Sequence, residues 1–492
     1  MSAQAKYPLI YEINTWVWLH ELSIKTGRSI TLATVPEEEW EAIAALGFNA
    51  VWFMGVWERS PRGIRVSMAN EGLVADFRRA LPDFTTRDNT GSPYCVRRYV
   101  VDHRLGGPEG LAAARHCLAG RGIRLILDFV PNHVAIDNPW ILYDPEFFIQ
   151  GTADDLRQNP DSFVNVGRTV FACGKDPYFP AWADVVQVNA FHPGLRAIAS
   201  ETLIAIAAQC DGVRCDMAML LMNSIFRKTW GDRAGTVPGQ EYWRQVIPAV
   251  KEKEPGFLFI AEAYWDMEWE LQQQGFDYCY DKQLYDRLTH GSAEDVRLHL
   301  CADIAYQSKL LRFIENHDEP RAAAAFPGRK HRAAAVTALT IPGARLVHEG
   351  QMTGRHVRIP VFLERRPFEM PDFELLGFYQ ILLGVLQSNG IMRGTWNLCE
   401  RSGWPDNHSC ENMAAWCWDN ETSRCLIIVN LSDTPSQARV HVPWNDISGN
   451  TWQLHDVFTD TVYERDGNEM CAPGLYVALP PWGFHFFIIK QN

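Results

Sequence analysis

Residues 211–216 read Asp-Gly-Val-Arg-Cys-Asp. On a short strand, alternation puts Arg214 and Asp216 on one face, while Val213 and Cys215 meet an apolar layer. A cation and a carboxylate held inside a core are costly unless they pair or react. Three other segments repeat the pattern of an apolar run that ends in ionisable residues. The run at 125–130, with Asp128 inside it, leads into Asn132 and His133; the run at 257–261 ends in Glu262; Phe313 and Ile314 lead to Glu315, Asn316, His317 and Asp318. Two carboxylates in contrasting surroundings are the groups used to cleave a glycosidic bond, with retention if they stand roughly 5–5.5 Å apart and inversion if a water fits between them. Asp216, beside Arg214, is expected to stay ionised and act as nucleophile. Glu262, at the end of an apolar strand, is expected to hold a proton for the leaving oxygen.

Residues so far apart in sequence share a site only if their strands end in one place. From residue 7 onward strand-like and helix-like segments alternate, the order of a parallel α/β barrel, and in such a barrel all C-terminal strand ends open at one mouth. Eight strands are expected, at 9–17, 50–54, 123–129, 212–216, 257–262, 276–280, 310–315 and 344–348. Helical patterns fall between them, such as 37–46, ended by Gly47, and 108–119, ended by Gly120. The stretch from Pro131 to about residue 195 is rich in Pro, Asp, Asn and aromatic residues and too long for a simple crossover, which points to a small domain over the mouth. After about residue 390, β-rich stretches at 425–430, 439–442 and 484–489 alternate with turn residues, as in an antiparallel sandwich with Trp and Phe in its core. The expected fold class is therefore α/β. A (β/α)8 TIM barrel at 1–133 and 206–392 is interrupted after strand 3 by an excursion domain at 134–205 and followed by a C-terminal antiparallel β-sandwich at 393–492. Alanine clusters at 322–325 and 333–335 read as helix surface.

The chain has 492 residues, 47% of them hydrophobic, enough for a large core with an appended domain. Lys and Arg number 46 against 59 Asp and Glu, and the formal charge of −13 argues against nucleic acid as a partner. A neutral ligand is expected. No stretch is long and apolar enough to span a bilayer. Residues 1–6 are short and polar and 7–19 carry Glu12 and Asn14, which is not the order of a secretory leader. The 12 dispersed Cys, several inside apolar strands, suit reduced thiols, and a cytoplasmic location is expected. The oligomeric state is left open.

In chain order, Asp128-Phe-Val-Pro-Asn132-His133, Gly212-Val-Arg214-Cys-Asp216, Ala261-Glu262 and Glu315-Asn-His317-Asp318 resemble the four motifs of the α-amylase family of glycoside hydrolases. Trp182-Ala-Asp-Val-Val-Gln187-Val-Asn189 resembles a further motif of that family's excursion domain. The resemblance runs from Tyr7 to the C-terminal sandwich. It implies an α-glucoside as the carbohydrate partner, Asp216 as the nucleophile of a covalent glycosyl-enzyme, and Glu262 as the acid and later the base. Asp318 would hold sugar hydroxyls and distort the ring. His133 and His317 would hydrogen-bond the same sugar, Tyr94 would stack on it, Arg214 would orient Asp216, and Asp128 would brace Arg214.

Departures from the family bear on substrate and cofactor. Where relatives often carry a basic residue and a His that grip the next sugar of a glucan, this chain has Met219 and Leu220. Action on small α-glucosides or chain ends is therefore expected. The competing reading is that Met217, Leu220 and Leu221 pack the following helix and other loops supply the sugar contacts. Many relatives bind calcium between barrel and excursion domain. Asn132 is present here, but Gln187 stands in place of a carboxylate, and hard cations prefer charged oxygens. No metal and no other cofactor is expected to be required. Arg98 stands where relatives frequently have Asp, a change the sequence does not explain.

A transglycosidase is the alternative, because it uses the same carboxylates and differs only in whether a sugar hydroxyl or water attacks the intermediate. Phosphorolysis would need an anion site, to which Arg97, Arg98 or Arg355 could lend charge. A non-catalytic carbohydrate-binding protein would be expected to have lost a carboxylate, and Asp216, Glu262 and Asp318 are all present. A metal-dependent hydrolase built on His103, His133 and His317 lacks the His-x-His and His-Glu-x-x-His spacings.

Overall fold

Eight parallel strands close on themselves: β1 (Leu9–Asn14), β2 (Ala50–Met54), β3 (Arg124–Phe129), β4 (Gly212–Cys215), β5 (Leu258–Ala261), β6 (Tyr278–Tyr280), β7 (Leu310–Arg312) and β8 (Ala344–His348). Each pairs with its neighbour in sequence, and β8 returns to β1. The structure is a computed structural model that describes residues 6–388, 390–420 and 423–491; residues 1–5 of the opening polar stretch lie outside the described residues. Strands buried on both faces read as continuous apolar runs, which is why they stand out in the sequence. The first run misleads. The strand expected at 9–17 stops at Asn14, and a helix, Thr15–Thr26, begins at once. Its buried residues Trp16, Leu19 and Leu22 lie at the helical spacing of three, which a short apolar run cannot distinguish from a strand.

The expected strands at 212–216, 257–262 and 310–315 are also longer than the observed ladders, and for a reason that matters. Their last residues leave the sheet and turn into the mouth. Arg214 on β4 stands opposite Asp128 on β3 and Ile260 on β5, and Cys215 stands opposite Phe129 and Ala261. Asp216 and Glu262 thus leave adjacent strands at the same level. Their amides still hold on: the Asp216 N–H donates to the Phe129 carbonyl at 2.8 Å, and the Glu262 N–H to the Cys215 carbonyl at 3.1 Å.

The helices expected at 37–46 and 108–119 are Glu37–Ala45 and Gly107–Ala119. The alanine clusters are helical, in Ala322–Ala325 and Arg329–Thr340; the first is surface beyond Ala322, with Ala324 exposed, whereas the second is not surface. Ala322, Ala333, Ala334 and Ala335 are buried. Small side chains let this second helix sit close between the barrel and the C-terminal domain, where its last residue, Thr340, accepts from the indole N–H groups of Trp416 (3.0 Å, at Oγ1) and Trp418 (2.7 Å, at the carbonyl). Those two Trp, expected in the sandwich core, join the barrel core instead.

After β3 the chain builds a small antiparallel sheet from His133–Ala135, Gln150–Gly151, Phe163–Val166, Thr169–Gly174 and Trp182–Gln187. The helix Pro193–Ala207 then returns the chain to β4. The C-terminal region is a six-stranded antiparallel sheet centred on Ser423–Asn430 and Phe484–Gln491, facing a three-stranded sheet that includes Ser436–His441 and Leu475–Leu479. Leu426 and Ile428 from one sheet share a core with Val440 and Val477 from the other. Among the described residues no helix is long and apolar enough to cross a membrane, and all 12 cysteines are free.

Candidate active site

One guanidinium ties the two expected catalytic carboxyl groups together. Arg214 Nη1 donates to Asp216 Oδ1 at 2.8 Å, and its Nη2 lies 2.7 Å from Glu262 Oε2 without hydrogen-bond alignment. Arg214 is buried, with its guanidinium carbon 5.1, 5.4 and 5.8 Å from the ring centroids of Tyr94, Trp52 and Tyr280. Aromatic faces favour a cation where water is excluded. Asp128 braces the same guanidinium: Oδ1 is 3.5 Å from Nη1, and Oδ2 accepts from the Trp52 indole at 3.3 Å and the Gly55 amide at 3.2 Å.

Glu262 is gripped from two further directions. Oε1 accepts from the Tyr264 hydroxyl at 2.9 Å, and Oε2 accepts from the Met217 amide at 2.6 Å. Met217 directly follows Asp216 and adopts φ 42°, ψ 47°. This left-handed conformation costs a non-glycine residue about 1–2 kcal/mol, and it turns the Met217 N–H toward Glu262. The nucleophile candidate and the acid candidate are thereby locked through adjacent backbone.

The electrostatics differ from the sequence expectation in one respect. Arg214 serves both carboxyl groups, so it does not single out Asp216. Burial pushes both up, Asp216 to about 6 and Glu262 to about 7, against the opposing pull of Arg214. The order expected from the sequence is kept, with Glu262 the better proton holder. The aligned Arg214 bond to Asp216, against the unaligned contact with Glu262, favours that order. Burial also raises Asp128, to about 6.

Asp318 faces the same cavity, and its Oδ2 lies 2.9 Å from His317 Nε2. His317 Nε2 also meets the Tyr94 hydroxyl at 2.5 Å, and its Nδ1 meets Glu12 Oε1 at 2.5 Å. Burial opposes charge on His317, but the Asp318 and Glu12 carboxylates outweigh it and raise the imidazole well above its usual value. Desolvation likewise opposes ionisation of Asp318, and the His317 cation outweighs it, holding Asp318 at about 2. His133 has no such partner. Burial pushes it down to about 4, so it is neutral, with its ring 5.1 Å from Trp182.

Asn132 lies behind the cavity wall in an amide clasp with Gln187. Gln187 Nε2 donates to Asn132 Oδ1 and to the Asn132 carbonyl, both at 2.9 Å, and to the Val188 carbonyl at 3.1 Å; Asn132 Nδ2 donates to Gln187 Oε1 at 3.3 Å. Asn132 Oδ1, the oxygen a calcium ion would use, is thus already occupied by a donor, and the neighbour is an amide where a hard cation wants a carboxylate. These residues do not fit calcium. Among the described residues no cluster of three or more His, Cys, Asp or Glu could hold a metal ion.

Two lobes of cavity share Met217 and Tyr264 in their linings. The catalytic lobe, about 350 Å³, is lined by Tyr94, His133, Asp216, Glu262 and Asp318, with Trp182, Asp184 and Phe362 on its outer wall. The second lobe, about 380 Å³, runs past Trp265 and Phe179 toward Lys282 and Gln283. Met219, Leu220 and Leu221 are all buried in the core. The other expectations about charge resolve locally. Arg97 and Arg98 both pair with Glu58, Arg98 at 2.6 Å, which accounts for the arginine at 98. Arg355 lies 3.5 Å from Glu21, and His103 is a surface residue beside Asp102. The sequence reading missed Glu12, Tyr264 and the outer wall. Glu12 carries a signal in retrospect, as a lone acid inside an apolar strand.

A closed parallel barrel whose mouth holds a bridged carboxyl pair beside a cavity is an arrangement suited to carboxylate-pair chemistry. No family model matches the chain. An α-amylase, MalA, of Haloarcula japonica is 24% identical over 444 residues, 88% of this chain and 57% of that protein. Alpha-amylase 3 of Dictyoglomus thermophilum is 22% identical over 301 residues, 56% of each. The chain spans little more than half the length of these curated relatives. Among solved structures, the noncanonic maltogenic α-amylase AmyB of Thermotoga neapolitana has the same fold, with a TM-score of 0.72, 18% identity and full coverage of both chains. The chain is similar to α-amylases over most of its length and shares their fold.

Proposed function

We propose that this chain is a retaining glycosidase that cleaves α-glucosidic bonds in small glucosides or at chain ends. The observation that carries the reading is the Arg214 bridge, which holds Asp216 and Glu262 at one level of the barrel mouth. In the first step Asp216 attacks the anomeric carbon and displaces the glycosidic oxygen, which takes the Glu262 proton as its bond to carbon breaks. In the second step Glu262 accepts a proton from water, the water oxygen bonds to the anomeric carbon, and Asp216 leaves as carboxylate. Asp318, ionised beside His317, accepts from sugar hydroxyls; neutral His133 donates to or accepts from the same ring; the Tyr94 ring stacks on it. Arg214 is a positioning residue, with Asp128 behind it.

Two compact lobes, each at the low end of the ~300–1,000 Å³ of ligand sites, favour one or two sugar rings over a long chain. The Thermotoga neapolitana neighbour, a maltogenic α-amylase, agrees with a product of that size. Free, mostly buried thiols suit the cytoplasm. The test is a screen of α-glucosides, including sucrose, trehalose, maltose and starch, with the anomer of the product followed by NMR. Retention on a small glucoside supports the reading; an inverted product, or internal cleavage of starch far faster than any small glucoside, rejects it.

Transfer to a sugar hydroxyl is the second reading, favoured by a second lobe that shares Met217 and Tyr264 with the catalytic one. Products with and without an added sugar acceptor separate it from hydrolysis. Phosphorolysis has less support, because Lys282, the cation in that lobe, is paired with Asp286 and lies 3.5 Å from Glu319.

A further inference from the structure

A cavity also opens at the opposite end of the barrel, where the strands begin. It measures about 170 Å³ and is lined by Tyr7 ahead of β1, Asn49 ahead of β2, Arg345 near the start of β8 and Gln387 near the end of the helix Phe373–Ser388. Lys6 and Arg393 also line it, and no Asp or Glu does. Three cations thus meet at one small cavity in a chain whose formal charge is −13. Among the described residues none of the three has a carboxylate as ion-pair partner.

Arg345 is the buried member of the three, only 6% exposed. Its Nη2 donates to the Tyr7 carbonyl. Its Nε is sealed from solvent without a partner; Nη1 also lacks one but is not sealed. Burial pulls the guanidinium down to about 10, which leaves it charged at neutral pH. An uncompensated buried cation destabilises a fold, and an anion in the cavity removes that penalty. Neutral groups on the wall favour the same occupant. Asn49 Oδ1 is taken by the Leu9 amide at 2.9 Å, which leaves its Nδ2 free to donate. Gly47 makes room for the Gln387 carboxamide, with which a Cβ at that position would collide.

We propose that this cavity binds a phosphate group, held by Arg345, Lys6 and Arg393 at the floor of the barrel. Its volume lies below the ~300–1,000 Å³ of sites for whole organic ligands, which suits a free oxyanion or the phosphate end of a larger molecule. Free guanidinium N–H groups and a flexible ammonium are the donors that phosphate oxygens accept best. The site is separate from the proposed reaction. At ~3.3 Å per residue, the length of β8 puts it roughly 15 Å from the mouth that holds Asp216, so a phosphate bound here cannot attack a glycosyl-enzyme. Its effect is on the fold. It ties the beginnings of β1 and β8 to the segment that leads into the C-terminal domain, and a ligand that binds only the folded chain stabilises it.

Calorimetric titration of the full chain with sodium phosphate at neutral pH, against sodium chloride at matched ionic strength, should show one phosphate per chain and a melting temperature that rises with phosphate. The double variant Lys6→Ala, Arg393→Ala alters only exposed side chains and is expected to raise Kd on the order of tenfold or more. Arg345→Gln should abolish binding in protein that circular dichroism shows to be folded; if it unfolds, the double variant carries the test. Methyl phosphate separates the two sources of the group: tighter binding than inorganic phosphate assigns the site to a phosphorylated metabolite, weaker binding to the free ion. Phosphate that binds and stabilises no better than chloride overturns the proposal, as does phosphate affinity unchanged in the folded double variant.

Discussion

Glu12 and His317 meet at the barrel mouth, Oε1 2.5 Å from Nδ1, although one lies on β1 and the other just beyond β7. The contact makes the imidazole a charged strut with a carboxylate at each end, Glu12 inside and Asp318 at the cavity. Glu12 is fully buried, and its other oxygen, Oε2, has no partner. Its role in the proposed reaction is to keep His317 protonated and aimed, which in turn keeps Asp318 ionised.

Replacing Glu12 by Gln should therefore cost stability and change its pH dependence. Removing one partner of a buried ion pair costs on the order of 3–5 kcal/mol. His317 has a folded-state pKa above its unfolded value of about 6.5, so its stabilisation is complete below that value and is lost as pH rises through the folded one. Urea denaturation at pH 6 and pH 9 should show a larger gap between wild type and variant at pH 6. An equal gap at both would reject the charged strut.

Asp216→Asn and Glu262→Gln should each lower turnover of a disaccharide by on the order of 10³-fold or more in protein that circular dichroism shows to be folded. The two variants should part company on leaving groups. An aryl leaving group departs without a proton, so Glu262→Gln should regain activity on p-nitrophenyl α-glucoside and Asp216→Asn should not. Equal losses on both substrates would reject the division of roles.

The pH profile of kcat/KM should be a narrow bell. Activity requires Asp216 ionised and Glu262 protonated, so it falls on the acid side as Asp216 gains a proton near 6 and on the alkaline side as Glu262 loses one near 7. In Glu262→Gln, assayed on the aryl glucoside, the alkaline limb should disappear and the acid limb remain. An alkaline limb that persists unchanged would assign it to another group.

Chelator should change neither activity nor melting temperature, because the Asn132–Gln187 clasp occupies the place a calcium ion would join barrel to excursion sheet. Gln187→Ala would leave buried Asn132 groups unpaired and should destabilise by about 1–3 kcal/mol, measured by denaturation. Activity abolished by chelator and restored by calcium would show that the clasp is not what holds this joint.

The sequence by itself determined the barrel, because strands buried on both faces must be apolar throughout and the eight runs are separated by helical periodicity and turn residues. It also singled out Asp128, Arg214, Asp216, Glu262, His317 and Asp318, since charge at the end of an apolar strand is rarely accidental. Tertiary structure alone decided what these groups do to one another. Parallel register put Asp216 level with Glu262, so that Arg214 is shared between them, and ring closure brought Glu12 to His317. Spacing along a chain reports which face a side chain occupies. Distances across strands depend on register and closure, and the electrostatics follow those distances, which no single segment contains.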